Sequence, residues 1–278
     1  MRLDVATMTR GTRAFEAYTC DGFVRVTGVL TRDEVVAMRS SLLATLEAKG
    51  VGGERLTEVL GALRPARGTD GILWEVGRQP AFAPLAPALQ EAVDAVFGPG
   101  VWATTPQGGL AAPNFPLPGV WSVPHQAWHV DEPTTLGRTN SWGLLGFALL
   151  DEVEPCGGAT VMIAGSHRRL LALADELAKP SKGGPLTTDE TIAALALAEP
   201  WFEDLFRPGD PAERRRRFMV EGHVSAGVAL RVVELTGAPG DIVLMDPRCL
   251  HTMSANVSSR ARLHMRMVCV PQALTPAR

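Results

Sequence analysis

The chain has 278 residues, 46% of them apolar, and a formal net charge of −3. That length can bury a core without covalent staples, and the charge provides no global basic field for nucleic acid or an anionic membrane. Cys20, Cys156, Cys249 and Cys269 lie far apart without a CxxC pair, so free thiols of a reducing compartment are expected rather than a disulfide frame.

The segment up to Phe15 lacks the apolar core of a signal peptide. The longest uncharged apolar-leaning stretch, Thr139 to Leu150, is short of the roughly 20 residues that span a bilayer. A cytoplasmic protein with no membrane partner is the expectation. Asp21-Gly22 marks a turn, and Phe23, Val24 and Val26 read as a short strand. Thr31-Arg-Asp-Glu34 has capping-box spacing, which predicts a helix from Thr31 to about Lys49 stopped by Gly50. A second helix is expected from Pro80 to Phe97, ended by Gly98-Pro-Gly100.

From Val101 onward short apolar runs alternate with Gly and Pro. Strands are expected at 101–105, 127–130, 141–150, 159–163, 229–234, 241–245 and 263–270. This pattern predicts a barrel or sandwich, mainly β with flanking helices. The helices at about 31–97 precede it within one domain spanning 1–278. A helical, polar stretch at about 168–230, with a second capping-box spacing at Thr187-Thr-Asp-Glu190, reads as an insertion over one end of the barrel, a lid. Within it, Arg214 to Arg217 read as a solvated helix face, with an anion-binding patch as the alternative.

Trp128-His129-Val130-Asp131 contains His-x-Asp. On a strand, residues two apart share a face, so His129 and Asp131 are able to offer a nitrogen and an oxygen to one ion. A further histidine completes a 2-His-1-carboxylate site with adjacent open positions. His251 follows an apolar strand and precedes a polar turn. Beyond the turn, Arg262, His264 and Arg266 alternate with Leu263, Met265 and Met267. That alternation fits a surface edge strand, or a barrel strand whose polar face looks into a cavity. In the second case Arg262 is a guanidinium fork able to take a carboxylate.

These blocks, in this order, resemble the phytanoyl-CoA dioxygenase family of Fe(II)/2-oxoglutarate oxygenases. The resemblance starts at Asp21-Gly-Phe-Val-Arg-Val. It continues through His129-Val-Asp131 and through Ala148-Leu-Leu-Asp-Glu to Gly165-Ser-His167, and it ends with the stretch from His251 to Arg262. It implies a double-stranded β-helix, that is, a jelly-roll, cupin-like barrel. It also implies Fe(II) held by His129, Asp131 and His251, with 2-oxoglutarate and O2 as co-substrates. Arg262, eleven residues after His251, matches the arginine that binds the far carboxylate of 2-oxoglutarate; Arg260 is the second choice. Asn256 matches a turn asparagine.

The sequence departs from the family pattern in places. Val130 fills a position where the family often has Gln. Phe147 stands where many members place a Trp beside the co-substrate. Met253 replaces a small hydroxyl residue that helps the arginine, and Thr252 or Ser254 is the expected substitute. Gln107 is a further candidate contact to 2-oxoglutarate or substrate. Asp131 stands where related halogenases carry a small residue, so the resemblance implies hydroxylation of a small molecule, with desaturation, epoxidation or cyclisation on the same site. The alternatives are a cupin-type metal enzyme that does not use 2-oxoglutarate, and a non-catalytic binding barrel.

Other residues carry lesser expectations. His125 and Trp121 precede the metal strand and either line the substrate pocket or simply pack. Trp128 is expected to face the core, His167 to be structural, and His223 to be a loop residue. His264 is assigned a role beside the arginine rather than on the metal. Composition fixes neither the substrate nor the oligomeric state.

Overall fold

The computed structural model describes residues 13–48, 76–105, 109–132, 141, 143–177 and 187–272. Helix α1 (Arg13–Asp21) leads through Gly22 into β1 (Phe23–Val26) and α2 (Arg32–Ala48). Gly22 has φ of 83°, and a Cβ there would collide with Cys249 and His167. The Thr31–Glu34 box forms as its spacing predicts: Thr31 N–H donates to Glu34, and Glu34 N–H donates back to the Thr31 hydroxyl. Gly50, the expected stop, lies outside the described residues.

The second predicted helix is split. Pro80–Phe82 forms a 3-10 turn, and α3 covers Leu85–Phe97. Pro84 caps α3, which ends at Gly98 with φ of 83°. The short strands β2 (Trp102–Thr104) and β3 (Leu110–Ala111) follow. Next come β4 (Leu144–Leu149), β5 (Thr160–Ala164), α4 (Ser166–Leu177), α5 (Thr188–Ala198), α6 (Pro200–Leu205) and α7 (Pro211–Arg215). A π-helical turn at Arg216–Glu221 leads to β6 (His223–Ser225), β7 (Val228–Glu234), β8 (Ile242–Met245), β9 (His251–Met253) and β10 (His264–Pro271).

The strands form two antiparallel sheets. One has the order β1-β8-β4-β10-β2 with β3 also on β10, and the other is β6-β7-β5-β9. This is the expected jelly-roll architecture, although the described strands do not close into one hydrogen-bonded cylinder. The outer face of the larger sheet (Leu144, Ala148, Ile242, Leu244, Met265) packs against α2 and α3 through Met38, Leu42, Leu89 and Val93. Between the sheets lie Leu145, Phe147, Met162, Val243, Met245 and Cys249. Strand parity produces the division: Met162 faces inward while its neighbours Val161 and Ile163 face outward.

The helical insertion departs from expectation in its position. Trp201, Phe202, Leu205 and Phe218 pack on Val161, Ile163, Leu230 and Val232. The insertion therefore clads the outer face of the smaller sheet instead of covering one end of a barrel. Its predicted cap is present, with Thr187 and Glu190 bonded reciprocally.

In the arginine run Arg215 and Arg216 are exposed and Arg217 is partly so, as a solvated face requires, but Arg214 departs from it. Arg214 is buried and donates to five carbonyls: Val123 and Pro124 (both 3.1 Å), Asp204 (3.0 Å), Leu205 (2.7 Å) and Arg207 (2.5 Å). It closes the C-terminal end of α6, where helix carbonyls lack partners, and ties the insertion to the segment before His129. Arg216 pairs with Glu213 and Glu221, Arg217 pairs with Asp204, and Arg215 lies over the Trp121 ring. The run is engaged internally rather than offered to an anion. All four cysteines are free thiols. Among the described residues no helix is long and apolar enough to cross a membrane.

Candidate metal centre

The expected strand at 127–130 is reduced to one bridge, because Ala127 adopts φ of 59° and interrupts the extended run. That bridge is the important one. His129 and His251 exchange both backbone hydrogen bonds, at 3.0 and 2.9 Å, so two residues 122 apart in sequence are directly opposed. Their rings lie 4.2 Å apart. Asp131 follows, anchored by its N–H to the Pro247 carbonyl at 2.9 Å.

Both imidazoles are oriented in the same way. His129 Nδ1 donates to the Ala127 carbonyl and His251 Nδ1 to that of Cys249, each at 2.9 Å. This fixes the tautomer and leaves each Nε2 lone pair free. The Nε2 atoms stand 4.0 Å (His129) and 3.7 Å (His251) from Asp131 oxygens. One ligand atom from each residue falls within a 4.8 Å cluster, the only such His/Cys/Asp/Glu grouping among the described residues.

Electrostatics keeps the donors ready. Burial, then the neighbouring His129, pushes His251 down to about 4, so it is a neutral donor at pH 7. Burial works to raise Asp131, but His251 and Arg266 outweigh it and hold the carboxyl below its usual range. Metal ligation requires these deprotonated forms.

Arg266 is the contact the sequence reading missed. Its Nη2 donates to Asp131 Oδ2 at 2.6 Å, across 135 residues. Its alternation with Arg262 placed it on the right face, but nothing local signalled the partner.

Arg262 is 1% exposed and lies on the inner face ahead of β10. Nη1 donates to His264 Nδ1 at 2.6 Å, Nη2 lies 3.9 Å from Met253 Sδ, and Nε has no partner among the described residues. Burial alone lowers its pKa, to about 9; among the described residues no acidic side chain offsets the charge. Phe147 is buried and meets the His264 ring edge-on at 5.4 Å.

Several candidates fall elsewhere. Thr252, next to the inward His251, points to the opposite face and its hydroxyl donates to the Gln126 carbonyl at 3.3 Å. It is not brought to Arg262. The Ser254 hydroxyl is likewise taken, by the Ala159 carbonyl at 3.0 Å. Arg260 is exposed and pairs with Glu152 and Glu154, which removes it as second choice. Gln107 lies outside the described residues. Asn256 is a turn residue, bonding the Asn114 and Arg260 carbonyls. Trp121 and Trp128 are buried in the core around the smaller sheet, and His125 is half-buried. His167 donates to the Thr19 carbonyl at 3.1 Å, a structural contact. His223 is not an isolated loop residue: it starts β6, bonds Glu199 at 2.6 Å and stacks on Trp201.

The sequence profile of the phytanoyl-CoA dioxygenase (PhyH) family matches residues 18–264, from α1 through the triad to the start of β10. The chain belongs to the phytanoyl-CoA dioxygenase family. None of the curated proteins compared matches it significantly. Solved structures share the fold. The non-haem alpha-ketoglutarate dependent carbocyclase SnoK from nogalamycin biosynthesis is 18% identical with a TM-score of 0.57, covering 96% of this chain and 85% of its own. The epimerase SnoN, in complex with Fe3+, alpha-ketoglutarate and nogalamycin RO, is 19% identical with a TM-score of 0.51, covering 93% and 82%. EctD from S. alaskensis, with 2-oxoglutarate and 5-hydroxyectoine, is 19% identical with a TM-score of 0.50, covering 97% and 81%. At such identities the likeness extends to the fold of this PhyH-family chain and no further.

Proposed function

We propose that the chain is an Fe(II)- and 2-oxoglutarate-dependent oxygenase that oxidises, by default hydroxylates, a C–H bond of a small molecule. The reading is supported above all by one pairing. A ready His129–Asp131–His251 donor set faces the same interior as Arg262, a buried cation with no anion among the described residues. A buried charge normally has a counter-ion; a dicarboxylate chelating the metal at one end and meeting Arg262 at the other supplies it. Family membership and the 2-oxoglutarate seen in SnoN and EctD support the same choice.

In this reading His129 and His251 bind the ion through Nε2 and Asp131 through one oxygen, while Arg266 holds the other oxygen. Two neutral imidazoles and one carboxylate suit Fe(II) and leave adjacent positions open. Bound there with 2-oxoglutarate and O2, the iron supplies the oxidising power, with succinate and CO2 as co-products. Arg262 fixes the far carboxylate and so aligns the co-substrate. Phe147 and Met162 present apolar surface that limits water around the reacting groups.

The test is anaerobic titration of Fe(II)-loaded protein with 2-oxoglutarate, observing the visible metal-to-ligand charge-transfer band. A band that is lost in His129→Ala is expected. Iron binding without a band would favour a cupin-type metal enzyme that does not use 2-oxoglutarate. Failure to bind iron would overturn the triad.

A further inference from the structure

The carboxylate end of the site is unusual in its donors. Met253 has the same parity on β9 as His251 and, although exposed, brings its thioether to 3.9 Å from Arg262, while the Thr252 and Ser254 hydroxyls are engaged by backbone carbonyls. The polar partner left to the guanidinium is His264, two residues along on the same face, with Nδ1 2.6 Å from Nη1. A guanidinium only donates, so His264 Nδ1 must accept, and the imidazole is neutral. The ring is 3% exposed and held edge-on against Phe147, itself opposite Arg266 in the β4–β10 register. Its rotation is therefore fixed, and with it the rotation of the guanidinium. The edge bearing Nε is left without a partner among the described residues.

The identity of the acceptor matters. A carboxylate in place of His264 would orient Arg262 equally well but would neutralise it. A neutral imidazole orients the fork and leaves the full positive charge for a ligand.

We propose that His264 is a positioning residue that sets Arg262 for the second carboxylate of a dicarboxylic 2-oxo acid, and so makes the site selective for dicarboxylates over monocarboxylic 2-oxo acids. This rests on the oxygenase reading above.

The experiment is a three-variant comparison on Fe(II)-loaded protein under anaerobic conditions. Charge-transfer titrations use 2-oxoglutarate and 2-oxopentanoate, which has the same chain length without the far carboxylate. His264→Gln retains a neutral acceptor and should bind 2-oxoglutarate within about threefold of wild type. His264→Leu should weaken it about tenfold, the worth of one hydrogen bond. His264→Asp should weaken it more than about a hundredfold by pairing with Arg262. Binding of 2-oxopentanoate should stay within about twofold in every variant that folds by circular dichroism. Equal losses for both ligands would reduce His264 to a packing residue and overturn the proposal, as would wild-type 2-oxoglutarate affinity in His264→Leu or His264→Asp. If the wild type itself gives no band with 2-oxoglutarate, the co-substrate reading has failed, and the proposal fails with it. The wild-type titration therefore separates that failure from failure of the His264 role.

Discussion

Replacing Arg262 by Met should make the protein more stable while disabling it. Burial lowers the guanidinium to about 9. At about 1.4 kcal/mol per unit, that depression corresponds to roughly 5 kcal/mol held against the charged form. The sign is unambiguous. A base whose folded pKa lies below its unfolded value destabilises the fold at every pH below the folded value, so at pH 7 the penalty is present in full. Met removes the charge and keeps much of the volume. It also strands His264 Nδ1, which costs about 1–3 kcal/mol. The net expectation is a gain of about 2–4 kcal/mol, or roughly 4–16 °C in melting temperature for a domain of this size. Differential scanning calorimetry of metal-free protein reads this directly. In the same variant 2-oxoglutarate affinity should fall by about 100- to 1000-fold, since a buried charge pair is worth about 3–5 kcal/mol. A variant that melts lower than wild type and still binds 2-oxoglutarate normally would refute the reasoning, because it would show the arginine to be satisfied by its own protein.

Three other perturbations test different parts. Arg266→Gln removes the donor that holds Asp131 Oδ2 and should weaken Mn(II) binding by about 10- to 100-fold, the usual effect of an outer-sphere partner, as measured by electron paramagnetic resonance. Arg214→Leu removes the hydrogen bonds to five carbonyls and should destabilise the protein by at least about 3 kcal/mol, with protease cleavage appearing first in 200–222. Burial works to raise Glu199, yet hydrogen bonds from Ser225, His223 and Arg169 carry it below the usual carboxylate value. Its contribution is therefore complete above the ordinary glutamate pKa and is lost as pH falls through the depressed value. Hydrogen exchange in α6 and β6 should rise over that acidic window, and Glu199→Gln should abolish the step.

What the sequence made legible was mostly local. His-x-Asp, the capping boxes at Thr31 and Thr187, and the alternation of Arg262, His264 and Arg266 each carry their signal within a few residues, and each appears in the fold. The pairs that complete the site join distant segments. Arg266 meets Asp131, and Arg214 meets Val123 and Pro124, through tertiary placement that no spacing encodes. Thr252 was legible and misread: if His251 points inward, parity sends Thr252 outward and Met253 inward. The insertion was also partly legible. Trp201, Phe202, Leu205 and Phe218 are too apolar for a solvent-washed cover and require a sheet face to pack on.

The reciprocal main-chain bonds between His129 and His251 bear on how an ion would enter and leave. In a zinc finger the chelate is what folds the chain, so stripping the metal unravels it. Here the two imidazoles stand opposite each other across a single antiparallel bridge, and their separation is set by peptide groups rather than by a cation. On the proposed reading the centre is a pre-shaped chelator, and the ion is a guest of the scaffold. Amide protection at His129 and His251 should accordingly be the same with and without Mn(II), and repeated chelation and reloading should return the same molecule without a refolding step.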